Sequence, residues 1–265
     1  MSLLDTFTSG RQVTAPALDG LAVRLSGVTK RFGAGPTVLD DISLDVQEGE
    51  FVCLLGASGC GKSTLLNLVA GLDQPSTGTV QVSGRRAALM FQEAALLPWL
   101  TAAQNVELAL RLRGVGRTER RERSAELLDL VRLRDAGGKR VHELSGGMRQ
   151  RVAMARAFAQ ESGVLLMDEP FAALDAITRD VLHEELVRLR ASQRLTVLFV
   201  THNVREAVRL GDRVVLLSSR PGRIARDYPV GFDQPRRIES PEVAGLSLTI
   251  TEDLRAEIRR HGGQS

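Results

Sequence analysis

The apolar positions of the chain follow two periods. LAVRLSGV (residues 21–28) and ISLDV (42–46) alternate apolar and polar, the period of strands with one face on a core. FVCLLG (51–56), VLLMD (164–168), TVLFVT (196–201) and RVVLLS (213–218) are nearly unbroken apolar runs, as expected of strands buried on both faces. GTVQVSG and AALMF read as further short strands. Helical segments lie between them. KSTLLNLVAGL is closed by Gly71, and a second begins at Thr101, with Gln104 completing a capping box. Others begin after the Ser-Gly-Gly of residues 145–147, at Asp175, and at Asn203, which has Glu206 three residues on. Buried strands alternating with helices predict an α/β fold with a largely parallel sheet, joined to an antiparallel β subdomain.

Residues of about 93–150 break this alternation. SAELLDLVRLRD sets Leu127, Leu130 and Val131 at helical spacing, so the region reads as an inserted α-helical subdomain. RLRGVGRTERRERS (111–124) is basic but mixed in sign, the pattern of a solvated helix face. Residues 1–20 are polar and are expected to be a flexible segment. The main domain spans 21–240, and the tail 241–265 ends in a short helix, TEDLRAEIRRH.

Charge alters this picture little. With 35 Lys and Arg against 32 Asp and Glu, the net charge is only +3, and no run calls for nucleic acid as a partner. The two cysteines, Cys53 and Cys60, fall in an apolar strand and a glycine loop, which suits neither a disulfide nor a metal site. The first twenty residues lack a basic stretch followed by an apolar one, so no signal peptide is read. AALLPWLTAA (94–103) is too short to span a bilayer and contains Pro98. A soluble chain is expected, whose membrane role would come through a partner.

The candidate chemistry lies at the ends of the apolar runs. GASGCGKST (Gly56, Ala57, Ser58, Gly59, Cys60, Gly61, Lys62, Ser63, Thr64) fits G-x-x-x-x-G-K-[ST] and has a buried strand before it and a helix after it. Its backbone N–H groups would close around phosphates, Lys62 would reach the outer ones, and the Ser63 hydroxyl would bind Mg²⁺. VLLMDEP delivers Asp168 and Glu169 to a strand end. Asp168 would complete the Mg²⁺ environment, and Glu169 is the candidate general base. Gln92 ends the strand AALMF and is a candidate for Mg²⁺ or the attacking water; His202 ends the strand TVLFVT and would sense a γ-phosphate. Ligands bind at the carboxyl ends of such strands. Cys60, beside Lys62 at a helix start, is expected to be a reactive thiol that bound MgATP protects. Phe32 reads either as an adenine-stacking ring or as a core aromatic, and Trp99 either as a buried anchor or as a hydrophobic knob for a partner. HELSGGMRQRVAMARA (142–157) adds a second bare helix start suited to an anion.

Taken in order, Phe32, GASGCGKST, Gln92, LSGGMRQ, VLLMDEP, the ALD of residues 173–175 and His202 resemble the nucleotide-binding subunits of ATP-binding cassette transporters, over residues 21–220 or so. The resemblance implies a RecA-like P-loop core and a head-to-tail dimer. ATP would then lie between the glycine loop of one chain and Ser145, Gly146 and Gly147 of the other, with Phe32 stacked on adenine and Asp175 beside the site. MFQEAALLPWLTAAQNV, DEPFAALDAITR and SSRPGRI are similar to the importer branch for nitrate, taurine, aliphatic sulfonates and related solutes. Met148 and Ala172 depart from the commoner Gln and Ser, and the second departure removes a side-chain contact. The implied protein is the ATPase subunit of a bacterial importer, peripheral on the cytoplasmic face of the cell membrane. Its partners would be integral membrane permease subunits and, indirectly, a substrate-binding protein. The competing readings are a soluble cassette ATPase of DNA maintenance or ribosome work and, against the Ser-Gly-Gly element, a P-loop kinase.

Overall fold

A computed structural model of the chain describes residues 18–84 and 87–262, so the expected flexible segment 1–20 lies outside the described residues except for its last three positions. Two sheets form. β1 (Leu21–Arg31), β2 (Thr37–Gln47) and β4 (Thr77–Val82) make an antiparallel sheet in the order β2-β1-β4. A six-stranded sheet contains β3 (Phe51–Gly56), β5 (Ala88–Met90), β6 (Val164–Asp168), β7 (Thr196–Val200), β8 (Arg213–Leu217) and β9 (Ile224–Pro229) in the order β5-β6-β7-β3-β8-β9. All neighbours in the second sheet are parallel except β8 and β9.

The continuous apolar run of β3 follows from its central position. Its side chains alternate between two cores: Val52 and Leu54 join one with β1 and β2, while Phe51, Cys53 and Leu55 join the other with the helical elements. All six residues of β3 are buried. Cys53 and Cys60 are both free and buried.

The helices are α1 (Lys62–Val69), α2 (Ala102–Leu112), α3 (Arg117–Leu130), α4 (Gly146–Phe158), α5 (Ala176–Gln193), α6 (Val204–Leu210) and α7 (Pro241–Gly262). The expected capping box starts α2: Thr101 Oγ1 accepts from the Gln104 N–H at 3.2 Å, and Gln104 Oε1 accepts from the Thr101 N–H at 3.0 Å. Asn105, fully buried on α2, accepts from the Leu97 N–H and donates to the Leu97 and Thr101 carbonyls, which fixes the loop bearing Trp99. Trp99 is 65% exposed, so it is no buried anchor.

Three local readings change. In α3 the buried positions are Ser124 and Leu128, with Val131 just beyond the helix; Leu127 and Leu130 are only half-buried. The basic stretch from Arg117 forms the first half of this helix, whose one buried stripe faces α2 and α4. The helix read over TEDLRAEIRRH extends back to Pro241, because Val243 and Ile250 are buried in the core beside α6. β9 lacks the apolar pattern of a strand, since it is an edge strand with half-buried and exposed residues.

The turn between β8 and β9 rests on the glycine loop that follows β3. The Gly222 N–H donates to the Val38 carbonyl, and the Gly222 carbonyl accepts from the Asp40 N–H. A Cβ at Gly222 would lie 2.2 Å from the Cys60 carbonyl oxygen, so that backbone would have to move. Gly222→Ala is therefore expected to lower stability by about 1–3 kcal/mol, the usual cost of overpacking. Thermal melts of the two proteins check this; equal melting temperatures would contradict the contact.

Candidate functional site

The carboxyl ends of β3, β6 and β7, with the loop after β5, open on one cleft of about 490 Å³. Its lining includes Gly56, Ser58, Gly59, Gly61, Lys62, Ser63, Thr64, Gln92, Asp168, Glu169 and His202, with Val38 from the antiparallel sheet. Residues scattered over more than a hundred positions thus meet because parallel strands all end on the same edge.

The glycine loop turns through Gly61, whose φ of 101° is left-handed and whose added Cβ would meet Leu39 at 2.6 Å. That geometry starts α1 with its first N–H groups facing the cleft. Lys62 is buried, and its Nζ donates to the Gly56 and Ala57 carbonyls at 2.9 Å each, so the ammonium is held at the loop. Asp168 is buried at the end of β6. Burial pushes its carboxyl above the usual carboxylate range, as does the neighbouring Glu169 charge; a hydrogen bond from Ser63 and the Lys62 charge act the other way. Glu169 has a φ of 47°, which is rare for a side chain of this kind, and its N–H donates to the Val200 carbonyl at the end of β7. His202 Nδ1 lies 3.3 Å from Glu169 Oε2.

Gln92 is not a strand end as read from the sequence, because β5 stops at Met90 and Gln92 lies in the loop beyond. α4 holds that loop. Gln150 Nε2 donates to the Gln92 carbonyl at 3.3 Å, and Arg156 donates to the Ala94 and Ala95 carbonyls.

Other expected site residues lie outside this cleft. Ser145 caps α4, accepting from the Met148 N–H, and Ser145 and Gly146 are exposed away from the cleft lining. Gly147 lies against the loop before α5, where an added Cβ would meet the Ala173 carbonyl at 3.0 Å. Asp175 caps α5 through the Thr178 N–H and hydroxyl, and these bonds hold its carboxyl below the usual range. Phe32 is 54% exposed, with Lys30 Nζ 4.7 Å above its ring, which excludes the core reading. Cys60 is absent from the cleft lining, and its Sγ accepts from Lys62 Nζ at 3.7 Å on the buried side. Its side chain is 1% exposed and belongs to the apolar core under the loop, which corrects the expectation of an open reactive thiol.

One group of residues was missed in the sequence. His183, Thr201 and Glu206 are buried and hydrogen-bonded behind Glu169 and His202. The signal was a lone histidine beside Leu182 on the buried face of α5, and Glu206 was read only as a capping residue.

The family profile described as ABC transporter matches residues 39–172. The chain belongs to the ABC transporter family. It is 48% identical over 251 residues to an aliphatic sulfonates import ATP-binding protein of Burkholderia lata, covering 93% of this chain and 76% of that one. It is 49% identical over 209 residues to a taurine import ATP-binding protein of Sinorhizobium fredii, covering 76% and 78%. A solved dimeric ATP-binding cassette in a post-hydrolysis state with ADP and Pi superposes with a TM-score of 0.74 at 34% identity, covering 79% of this chain and all of that one. The protein is accordingly an ATPase of the ABC type with the α/β cassette fold. Among the described residues no helix is long and apolar enough to cross a membrane.

Burial of Cys60 sets its reactivity. Alkylation requires the glycine loop to open, so it should be much slower than for an exposed thiol, slower still with MgATP, and inactivating once complete. Mass spectrometry of the labelled peptide against residual activity tests this; a fast reaction indifferent to ATP would contradict the placement of Cys60 under the loop.

Proposed function

We propose that this chain is the ATP-hydrolysing subunit of a bacterial ABC importer for an aliphatic sulfonate, taurine, nitrate or a similar small solute. The observation that carries the hydrolytic reading is the convergence of Lys62, Ser63, Asp168, Glu169, Gln92 and His202 on one cleft. The importer reading is supported by relatives named for sulfonate and taurine import, at nearly equal identity. That near-equality does not choose a solute, in keeping with a cleft built for phosphate chemistry.

In this reading the glycine loop and Lys62 bind the phosphates of ATP. Glu169 accepts the proton of the attacking water, and His202, beside its carboxylate, faces the γ-phosphate. The donor set fits Mg²⁺: a serine hydroxyl, a glutamine amide oxygen and a buried carboxylate whose charged form burial disfavours. Ser63, Asp168 and Gln92 would hold the ion, which when bound neutralises charge on the phosphate oxygens. Phe32 supplies an exposed ring for adenine. The protein works peripherally at the cytoplasmic face of the membrane, on permease subunits fed by a substrate-binding protein.

Ser145, Gly146 and Gly147 form a bare helix start outside their own chain's cleft, which suits a phosphate held by a second copy. A two-fold head-to-tail dimer then completes two equivalent sites, with Asp175 and its loop at the junction. The solved dimeric cassettes support this arrangement.

Glu169→Gln keeps the side-chain shape and loses the base. It should cut turnover by about 10²–10⁴-fold while retaining ATP binding. Steady-state hydrolysis beside nucleotide titration measures both, and near-normal turnover would remove Glu169 from the role. The shared site is tested by mixing Ser145→Arg and Lys62→Ala chains. Each homodimer should be nearly inactive. A mixed dimer has one doubly damaged site and one intact site, so partial activity should return on subunit exchange. If tagged chains co-purify as mixed dimers without any gain, a linked pair with one wild-type half distinguishes unshared sites from sites that must fire together.

A further inference from the structure

Behind the cleft a buried polar group joins the two segments that carry Glu169 and His202. Thr201, His202 and Asn203 link the end of β7 to α6. The Asn203 N–H donates to Thr201 Oγ1 at 3.0 Å, the Thr201 hydroxyl donates to Glu206 Oε2, and the Glu206 N–H returns to Asn203 Oδ1 at 3.2 Å. The other carboxylate oxygen of Glu206 lies 2.9 Å from His183 Nε2, on α5. Both residues are more than nine-tenths buried. A carboxylate only accepts, so Nε2 carries the hydrogen of the histidine; Nδ1 is buried without a partner.

The same imidazole reaches the other segment. Its ring meets Phe171 edge-on, with centroids 4.6 Å apart, and Phe171 lies two residues after Glu169. Phe171 in turn packs on Phe199 of β7. Glu169, His202, Phe171, Thr201 and Glu206 all line one small pocket of about 50 Å³.

We propose that His183 and Glu206 are positioning residues for hydrolysis: through Thr201 on one side and Phe171 on the other, they fix His202 and Glu169 relative to each other. This rests on the reading of Glu169 as the base. The physical ground is that Glu169 and His202 hold each other only loosely, at 3.3 Å, and His202 is 70% exposed. The Glu169 backbone is held by Val200 and Ala172, but among the described residues neither side chain has a polar partner beyond the other. The registration comes from the buried side, where a charge-assisted hydrogen bond in a water-poor setting is strong and directional. A small error in the position of a catalytic group costs rate more than binding. Lys62 and the glycine loop make no contact with this group among the hydrogen bonds of the described residues, so ATP affinity is held separately.

The test is His183→Leu beside His183→Gln, with Glu169→Gln as reference. Hydrolysis is normalised to nucleotide-binding-competent protein, which removes any loss through misfolding. His183→Leu should lower kcat at least tenfold with KM for ATP within about twofold. His183→Gln, whose amide still donates to Glu206, should recover most of that loss. Equal loss in both variants, or a loss in KM rather than kcat, would overturn the proposal. Should His183→Leu not fold, Thr201→Val decides: it removes only the hydroxyl between Glu206 and Asn203 and should show the same fall in kcat, whereas an unchanged kcat refutes the linkage. If Glu169→Gln itself remains active, the fault lies with the assignment of the base; if it is dead while His183→Leu is normal, only the positioning role fails.

Discussion

Everything at the cleft depends on the burial of β3 on both faces. A strand with cores on either side has no solvated surface along its length, so its polar chemistry must be displaced to its end. The glycine loop is that displacement. It takes the chain from a fully apolar strand to the N-terminus of α1 within six residues, 56–61, and leaves one buried ammonium held on the loop's own carbonyls at the cleft. The same constraint acts on β6 and β7, whose apolar runs end in Asp168 and Glu169 and in Thr201 and His202. Parallel pairing then brings these ends into register, with Leu54 beside Val200 and Val200 beside Asp168.

The helical insert is joined to this edge by side chains more than by strands. α4 begins at the Ser-Gly-Gly element and, within twelve residues, holds the Gln92 loop through Gln150 and Arg156. These bonds tie α4 to Gln92 at the cleft and to the segment leading to exposed Trp99. The contact of Gly147 with the loop before α5 ties the same helix start to the elements that follow Glu169. One helix of 13 residues therefore joins the Ser-Gly-Gly element to the Gln92 loop and to the loop before α5.

Most of this was legible in the sequence because it rests on local rules. Period-two and unbroken apolar runs gave the strands of both sheets except β9, Thr101 and Gln104 gave a real capping box, and the strand–glycine–helix context gave the glycine loop at the cleft. The failures have a common cause. Side-chain direction inside a loop is set by what lies beneath it, so Cys60, read as a reactive thiol, has its side chain in the core. In α3, two of three candidate apolar positions were chosen one residue off the buried stripe, because a helix with so many arginines shows its core face through few residues. The edge strand β9 has little core pattern to read. His183 carried no motif at all, since its partner lies 23 residues away on another helix.

Glu169 illustrates why the site cannot be understood from its own residues. A glutamate with a positive φ is held against its backbone preference, at a cost of order 1–3 kcal/mol. The strain persists because the surroundings over-determine it. The Glu169 N–H is committed to Val200, its carbonyl to the Ala172 N–H, and Phe171 is locked between Phe199 and His183. Each of these anchors lies on β7, on α5 or in the turn itself, and not in the glycine loop. The cleft is therefore supported from two independent sides. The glycine loop and α1 hold Lys62 and Ser63, and β7 with α5 and α6 holds Glu169 and His202. The two sets meet along the sheet edge where β3, β6 and β7 end.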